Sequence, residues 1–143
     1  MGNLIGIDLG GTAIKAAVVT AEGTLLDEAN QPFVDRDMEW ARAIRDLVSG
    51  FEQKHGKASA IGLSAPGLAA RSGRCISHLP GRLDGLEGLD WTDYLGRSEL
   101  VPVLNDAHAD VMTALRRRDS AGVRRAIEKD LFVAGQFLRT FCA

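Results

Sequence analysis

Cysteine is nearly absent from this chain. The two it has, Cys75 and Cys142, are too few and too far apart for a disulfide framework or a zinc knuckle. Long hydrophobic runs are absent too. No apolar stretch approaches the roughly 18 residues of a membrane-spanning helix, and the N-terminus has no signal-peptide pattern. A reducing cytoplasm is the expected compartment. Charge of one sign is also lacking: the net charge is −2 across 143 residues, which gives no general reason to expect nucleic acid as a partner. The expected character is a soluble globular protein, with 45% apolar and 25% charged residues and length enough for one buried core.

The charge is unevenly spread. Residues 1–115 hold 10 Lys/Arg against 16 Asp/Glu, whereas residues 116–143 hold 7 against 3. The last stretch differs in kind from the rest. We expect one lobe over residues 1–118 and a basic, helical tail over 119–143. Ser120 is a cap for that tail, and Val123, Ile127, Leu131 and Leu138 lie along one face. Arg116–Arg118 read as a solvated helix end, with no interleaved aromatics of the kind nucleic acid would require.

The most informative segment is the first. Ile5-Gly6-Ile7-Asp8-Leu9 reads as a buried strand carrying a carboxylate near its end. Gly10-Gly11-Thr12 follows, and then a second apolar strand that contains Lys15. This is a β-hairpin with a tip of bare backbone, and bare amides approach phosphate closely. Gly-Gly is equally an ordinary two-residue hairpin turn. Asp8 before the tip, with Thr12 and Lys15 after it, favours a phosphate site, since a carboxylate holds hydrated Mg²⁺ while amides and a hydroxyl meet phosphate oxygens.

Further elements follow by period and punctuation. Strands are expected over 4–8, 14–20 and 24–31, the last ended by Pro32. Asp37 is a predicted N-cap for a helix over 38–54, with Trp40, Ile44, Leu47, Val48 and Phe51 at helical spacing and Gly56 as its stop. Trp40 and Phe51 belong to the core. A fourth strand runs over 58–64 and breaks at Ala65-Pro66-Gly67. A short strand over 74–77, a glycine-rich loop over 79–88 and a short helix capped by Asp90 come next. A strand over 101–104 begins at a sheet edge because of Pro102. Asn105-Asp106 then opens a helix with Val111, Met112 and Leu115 on one face. The order predicts an α/β fold of ribonuclease-H-like (actin-like) type: a mixed five-stranded sheet with helices on both faces.

In such a sheet the hairpin tip, the break at Ser64-Ala65-Pro66-Gly67 and the Asn105-Asp106 pair would converge beyond the strand ends. A carboxylate there serves as base towards a hydroxyl, and an asparagine beside it offers a donor and an acceptor to a polyol. Asn and Asp are also ordinary helix caps.

Taken together, Ile5–Lys15, Ile61–Gly67, Leu79-Pro80-Gly81 and Val103–Ala107 resemble the N-terminal lobe of ROK-family proteins, bacterial sugar kinases with related repressors, over about residues 3–115. The resemblance implies that Asp8, Gly10, Gly11, Thr12 and Lys15 contact ATP phosphates, with Asp8 on Mg²⁺ through water. It implies that Asp106 is the catalytic base, and that Asn105, Asp106 and Gly67 line the sugar site. His78 stands where the family commonly has a sugar-facing Asn. A repressor of this family carries a helix-turn-helix before the hairpin, and only Met1-Gly2-Asn3 precedes it here. Beyond about Leu115 the resemblance ends: the second phosphate turn, the adenine pocket and the Cys-rich zinc motif find no counterpart in residues 116–143. The expected function is therefore ATP-dependent phosphorylation of a hexose or amino sugar, inactive or very weak for this chain alone. The alternative is a non-catalytic, sugar-binding or self-associating module, which could form a homodimer. No zinc, nucleic acid or membrane partner is expected.

Overall fold

The computed structural model describes residues 2–105. Asp106, the helix expected after it, the basic tail and Cys142 lie outside the described residues.

Three strands come first: β1 (Asn3–Leu9), β2 (Ala13–Val19) and β3 (Leu25–Pro32). Helix α1 (Glu39–His55) leads to β4 (Ala58–Ala65). Two short strands follow, β5 (Leu68–Ala69) and β6 (Ile76–His78), then α2 (Trp91–Tyr94) and β7 (Val103–Asn105). The main sheet has the order β3-β2-β1-β4-β7. It is mixed, because β1 runs antiparallel to β2 and parallel to β4.

Strict alternation decides which face is buried. Ile5, Ile7 and Leu9 of β1 point inward, as do Ile14, Ala16 and Val18 of β2 and Ile61, Leu63 and Ala65 of β4. Helix α1 covers that face with Trp40, Ala41, Ile44, Val48 and Phe51, at the spacing of one helical stripe. Each large side chain buried there contributes about 1.5–3 kcal/mol. Trp40 and Phe51 are core residues, as expected. Trp91 of α2 meets Trp40 at 6.1 Å between ring centroids, and Tyr94 packs edge-on against Trp91 at 5.6 Å.

Local structure departs from the sequence pattern in three places. Asp37 does not cap α1. The N-cap is Met38, held in the left-handed region at φ 55°, with Asp37 also at φ 55° and no side-chain cap. Arg42 donates to the Asp37 carbonyl (2.7 Å) and Met38 lies against Gly85, so tertiary contacts override the cap propensity. Asn105 does not open a helix but is the last residue of β7. That strand starts two residues later than the apolar run suggests. Pro102 has no N–H to give, and its carbonyl instead accepts from Leu63 N (3.0 Å). The 66–78 region forms a small β5–β6 ladder, with Leu68 opposite His78, where only one strand is expected from the sequence. No helix among the described residues is long and apolar enough to cross a membrane.

Candidate functional site

Asp8 alternates with buried Ile7 and Leu9, so it emerges on the face away from α1. In register across that face stand Asn30 of β3, Lys15 of β2, Asp8 of β1 and Ser64 of β4. Ser64 Oγ donates to Asp8 Oδ1 at 2.9 Å. One carboxylate oxygen is thereby fixed, and Oδ2 makes no hydrogen bond among the described residues. Ser64 opens the break that the sequence places near the hairpin tip, but its bond to Asp8 is not foreseen there. The parallel register of β1 and β4, which shifts by one residue between Asn3 and Leu4, puts Ser64 opposite Asp8.

The tip joins β1 to β2 without a primed turn, because neither Gly11 nor Thr12 has a positive φ. Gly10 N donates to Ala13 O (3.0 Å), and Phe33 N donates to Thr12 O (3.1 Å), drawing the tip towards the end of β3. Gly10 is needed for close approach, since a Cβ there would stand 2.9 Å from the Ala13 carbonyl oxygen. The amides of Gly11 and Thr12 donate to nothing among the described residues and remain available to an anion.

The second group forms around the β5–β6 ladder. Gly67 ends the turn out of β4 at φ 99°, in a conformation that favours glycine. A Cβ there would lie 2.6 Å from the His78 carbonyl oxygen and 2.8 Å from Ile76. Gly67 and His78, both predicted to face a sugar, are thus brought together. Glu87 holds them in place: its Oε1 accepts from Leu79 N at 2.7 Å and lies 3.6 Å from His78 Nδ1. The loop is closed at its base by Arg74, whose Nε and Nη2 meet both oxygens of Asp90 at 2.6 and 3.2 Å. That hydrogen bonding holds the Asp90 carboxyl below its usual 3.8. Asp90 also caps α2, accepting from Asp93 N, as its position in the sequence suggests.

The two groups meet through the 79–83 loop. Leu83 N donates to Asp35 Oδ2 (2.8 Å), and the Arg82 guanidinium rests over Gly11. A cavity of about 330 Å³ opens between the 35–38 and 81–84 segments. Asn105 is buried at the end of β7, and Asp106 falls outside the described residues. No cluster of three or more His, Cys, Asp or Glu suited to a metal ion occurs among the described residues. A single open carboxylate oxygen on Asp8 is nonetheless compatible with Mg²⁺, which keeps most of its waters and takes its other ligands from phosphates.

A mixed sheet in this strand order, with a glycine hairpin at the end of its first strand, defines a lobe of the actin-like ATPase class. The chain belongs to the ROK family, whose profile it matches over residues 4–113. It is similar to the inorganic polyphosphate/ATP-glucomannokinase of Arthrobacter sp. strain KM (26% identity, TM-score 0.64), over 80% of this chain and 48% of that one. It is similar also to a ROK glucokinase from Streptomyces griseus, solved with glucose and AMPPNP (26% identity, TM-score 0.62), over 85% of this chain and 38% of that one. Over 64 residues it is 38% identical to an N-acetyl-D-glucosamine kinase of Haemophilus influenzae, covering 44% of this chain and 21% of that protein. The chain therefore spans less than half the length of these relatives.

Proposed function

We propose that this chain carries the sugar-facing and phosphate-facing wall of an ATP-dependent sugar kinase acting on a hexose or amino sugar. The observation that carries the reading is the Asp8 carboxylate, fixed by Ser64 on one oxygen and open on the other, beside a hairpin tip with unengaged amides. Membership of a family whose relatives include sugar kinases supports it.

In this reading Gly10, Gly11 and Thr12 cradle the terminal phosphates of ATP through backbone amides, and Lys15 adds positive charge from the neighbouring strand. Asp8 would hold Mg²⁺ through water; bound there, the ion supplies neutralisation of charge on the phosphates. Asn105, Gly67 and His78 contact the sugar. Asp106 orients the accepting hydroxyl and takes its proton as the oxygen attacks. Positioning from both sides is what makes phosphoryl transfer fast. With one wall supplied by this chain, we expect sugar binding from it and little or no turnover.

Calorimetric titration with glucose, N-acetylglucosamine and N-acetylmannosamine tests the reading. We expect at least one sugar to bind in the millimolar range, and Asp106→Ala to weaken it about tenfold or more, the scale of a lost hydrogen bond to a charged group. Failure of all three to bind would sink the sugar reading. Brisk ADP release in a coupled assay would instead show that one wall suffices.

A further inference from the structure

We propose that Arg82 is the charged arm of the phosphate site, its guanidinium gripping the terminal phosphoryl group of a phosphoanhydride chain laid on the hairpin tip. This rests on the reading of Gly10-Gly11-Thr12 as a phosphate cradle. A Cβ built on Gly11 would stand 3.3 Å from Arg82 Nη2, 3.7 Å from Nη1 and 3.9 Å from Cζ. The fork of the side chain, not its stem, therefore faces the tip. A glycine at position 11 leaves room for that approach, so the absence of a side chain there serves Arg82 as well as the ligand.

The guanidinium is not neutralised. Arg82 forms no ion pair among the described residues, whereas Arg74 is paired with Asp90 and Arg97 with Glu52. Asp35 and Asp37 line the other side of the cavity, and Asp84 lies on the same segment as Arg82, none of them in an ion pair with it. Asp35 is occupied in accepting from Leu83 N, and Asp37 lies nearest to Arg36. The backbone that carries the arginine is held from behind. Leu83, directly after it, is buried to 2% exposure, and its amide is tied to Asp35. A planar fork with five donors matches phosphate oxygens in pairs, and the Gly11 and Thr12 amides have no acceptor among the described residues. Hairpin amides, Arg82 and Lys15 then surround one anion from three elements: the tip, the 79–83 loop and β2.

The shared chemistry is a terminal phosphate on a phosphoanhydride, which a nucleoside triphosphate and an inorganic polyphosphate both present. Titration of the full chain with sodium tripolyphosphate and, separately, with AMPPNP distinguishes the two. We expect Arg82→Ala and Arg82→Gln to weaken binding about tenfold or more in at least one arm. Loss in both arms means that the terminal phosphate alone is read, and loss in one arm identifies the source. Arg36→Ala, on the same cavity but bonded towards Asp37, should leave both affinities unchanged. Unchanged binding in the Arg82 variants overturns the inference while leaving the hairpin reading intact. An equal loss in Arg36→Ala also overturns it, because general positive charge would then explain the effect. No binding of either probe by the unaltered chain removes the phosphate-cradle reading and this inference together. Arg82 is exposed, so its variants should keep the unaltered melting temperature.

Discussion

Gly67 is the residue at which local geometry is most tightly constrained. At φ 99° it lies where side chains are strained, and a Cβ would press on the His78 carbonyl, a backbone atom with little freedom to move. Gly67→Ala should cost about 3 kcal/mol in urea unfolding, and should shift the His78 and Leu79 backbone resonances. A cost below about 1 kcal/mol would mean that the turn relaxes freely. Gly11 makes a contrast at the same scale. Its neighbour is the end of an exposed arginine side chain, which can give way, so a substitution there should cost little stability. Asp8 was legible from the sequence because a carboxylate on an otherwise apolar strand, ahead of two glycines, is chemically conspicuous. The Ser64–Asp8 bond was not, because only the register of β1 against β4 sets the two residues opposite each other.

Among the elements, α1 shows how far local propensity reaches. Its apolar stripe and its stop at Gly56 follow from the residues alone. Its start does not: Asp37 is a better cap than Met38, yet Met38 is fixed by packing on Gly85 and by the pull of Arg42 on the preceding carbonyl. The other end of α1 is fastened to β4 by Arg97. Its Nη1 meets Glu52 Oε1 at 2.6 Å, its Nη2 donates to the Ala58 carbonyl at 2.7 Å, and Glu52 Oε1 accepts from Ala58 N. The side chains are 11% and 22% exposed, too little for solvent to replace the partner fully. Arg97→Ala should cost about 2–4 kcal/mol in chemical denaturation. Glu52→Gln keeps an oxygen for Ala58 N and should cost less. Equal losses would show that the charge pair, not the backbone acceptor, dominates. Nothing in the spacing of Glu52 and Arg97 announces this contact, since it joins residues 45 apart.

For the whole molecule, acid stability should depend on carboxylates whose partners come from distant elements. Asp27 on β3 is hydrogen-bonded to His55 and to Lys54, both at the end of α1, and these hold its carboxyl at about 2 instead of 3.8. Asp90 is lowered in the same direction by Arg74. A carboxyl whose folded value is depressed stabilises the fold fully above its unfolded value near 3.8. That contribution is lost as pH falls towards about 2. Thermal unfolding between pH 6 and pH 2 should therefore show the melting temperature dropping mainly below about pH 4. Asp27→Asn should lower it at pH 6 and flatten the drop. An unchanged slope in the variant would place the acid sensitivity elsewhere.

What the sequence by itself determined is the mixed five-stranded sheet, the order of its five strands along the chain, the core stripe of α1 and a glycine hairpin directly after the Asp8 strand. These rest on short-range periodicity, on turn residues and on residue chemistry, all of which are local. Tertiary structure alone decided the partner of Asp8, the left-handed start of α1, the β5–β6 ladder that joins Gly67 to His78, and the approach of Arg82 to Gly11. Each of these needs two segments far apart in the chain to meet at a particular register. Such a meeting is set by how the whole core packs, and no single stretch of residues encodes it.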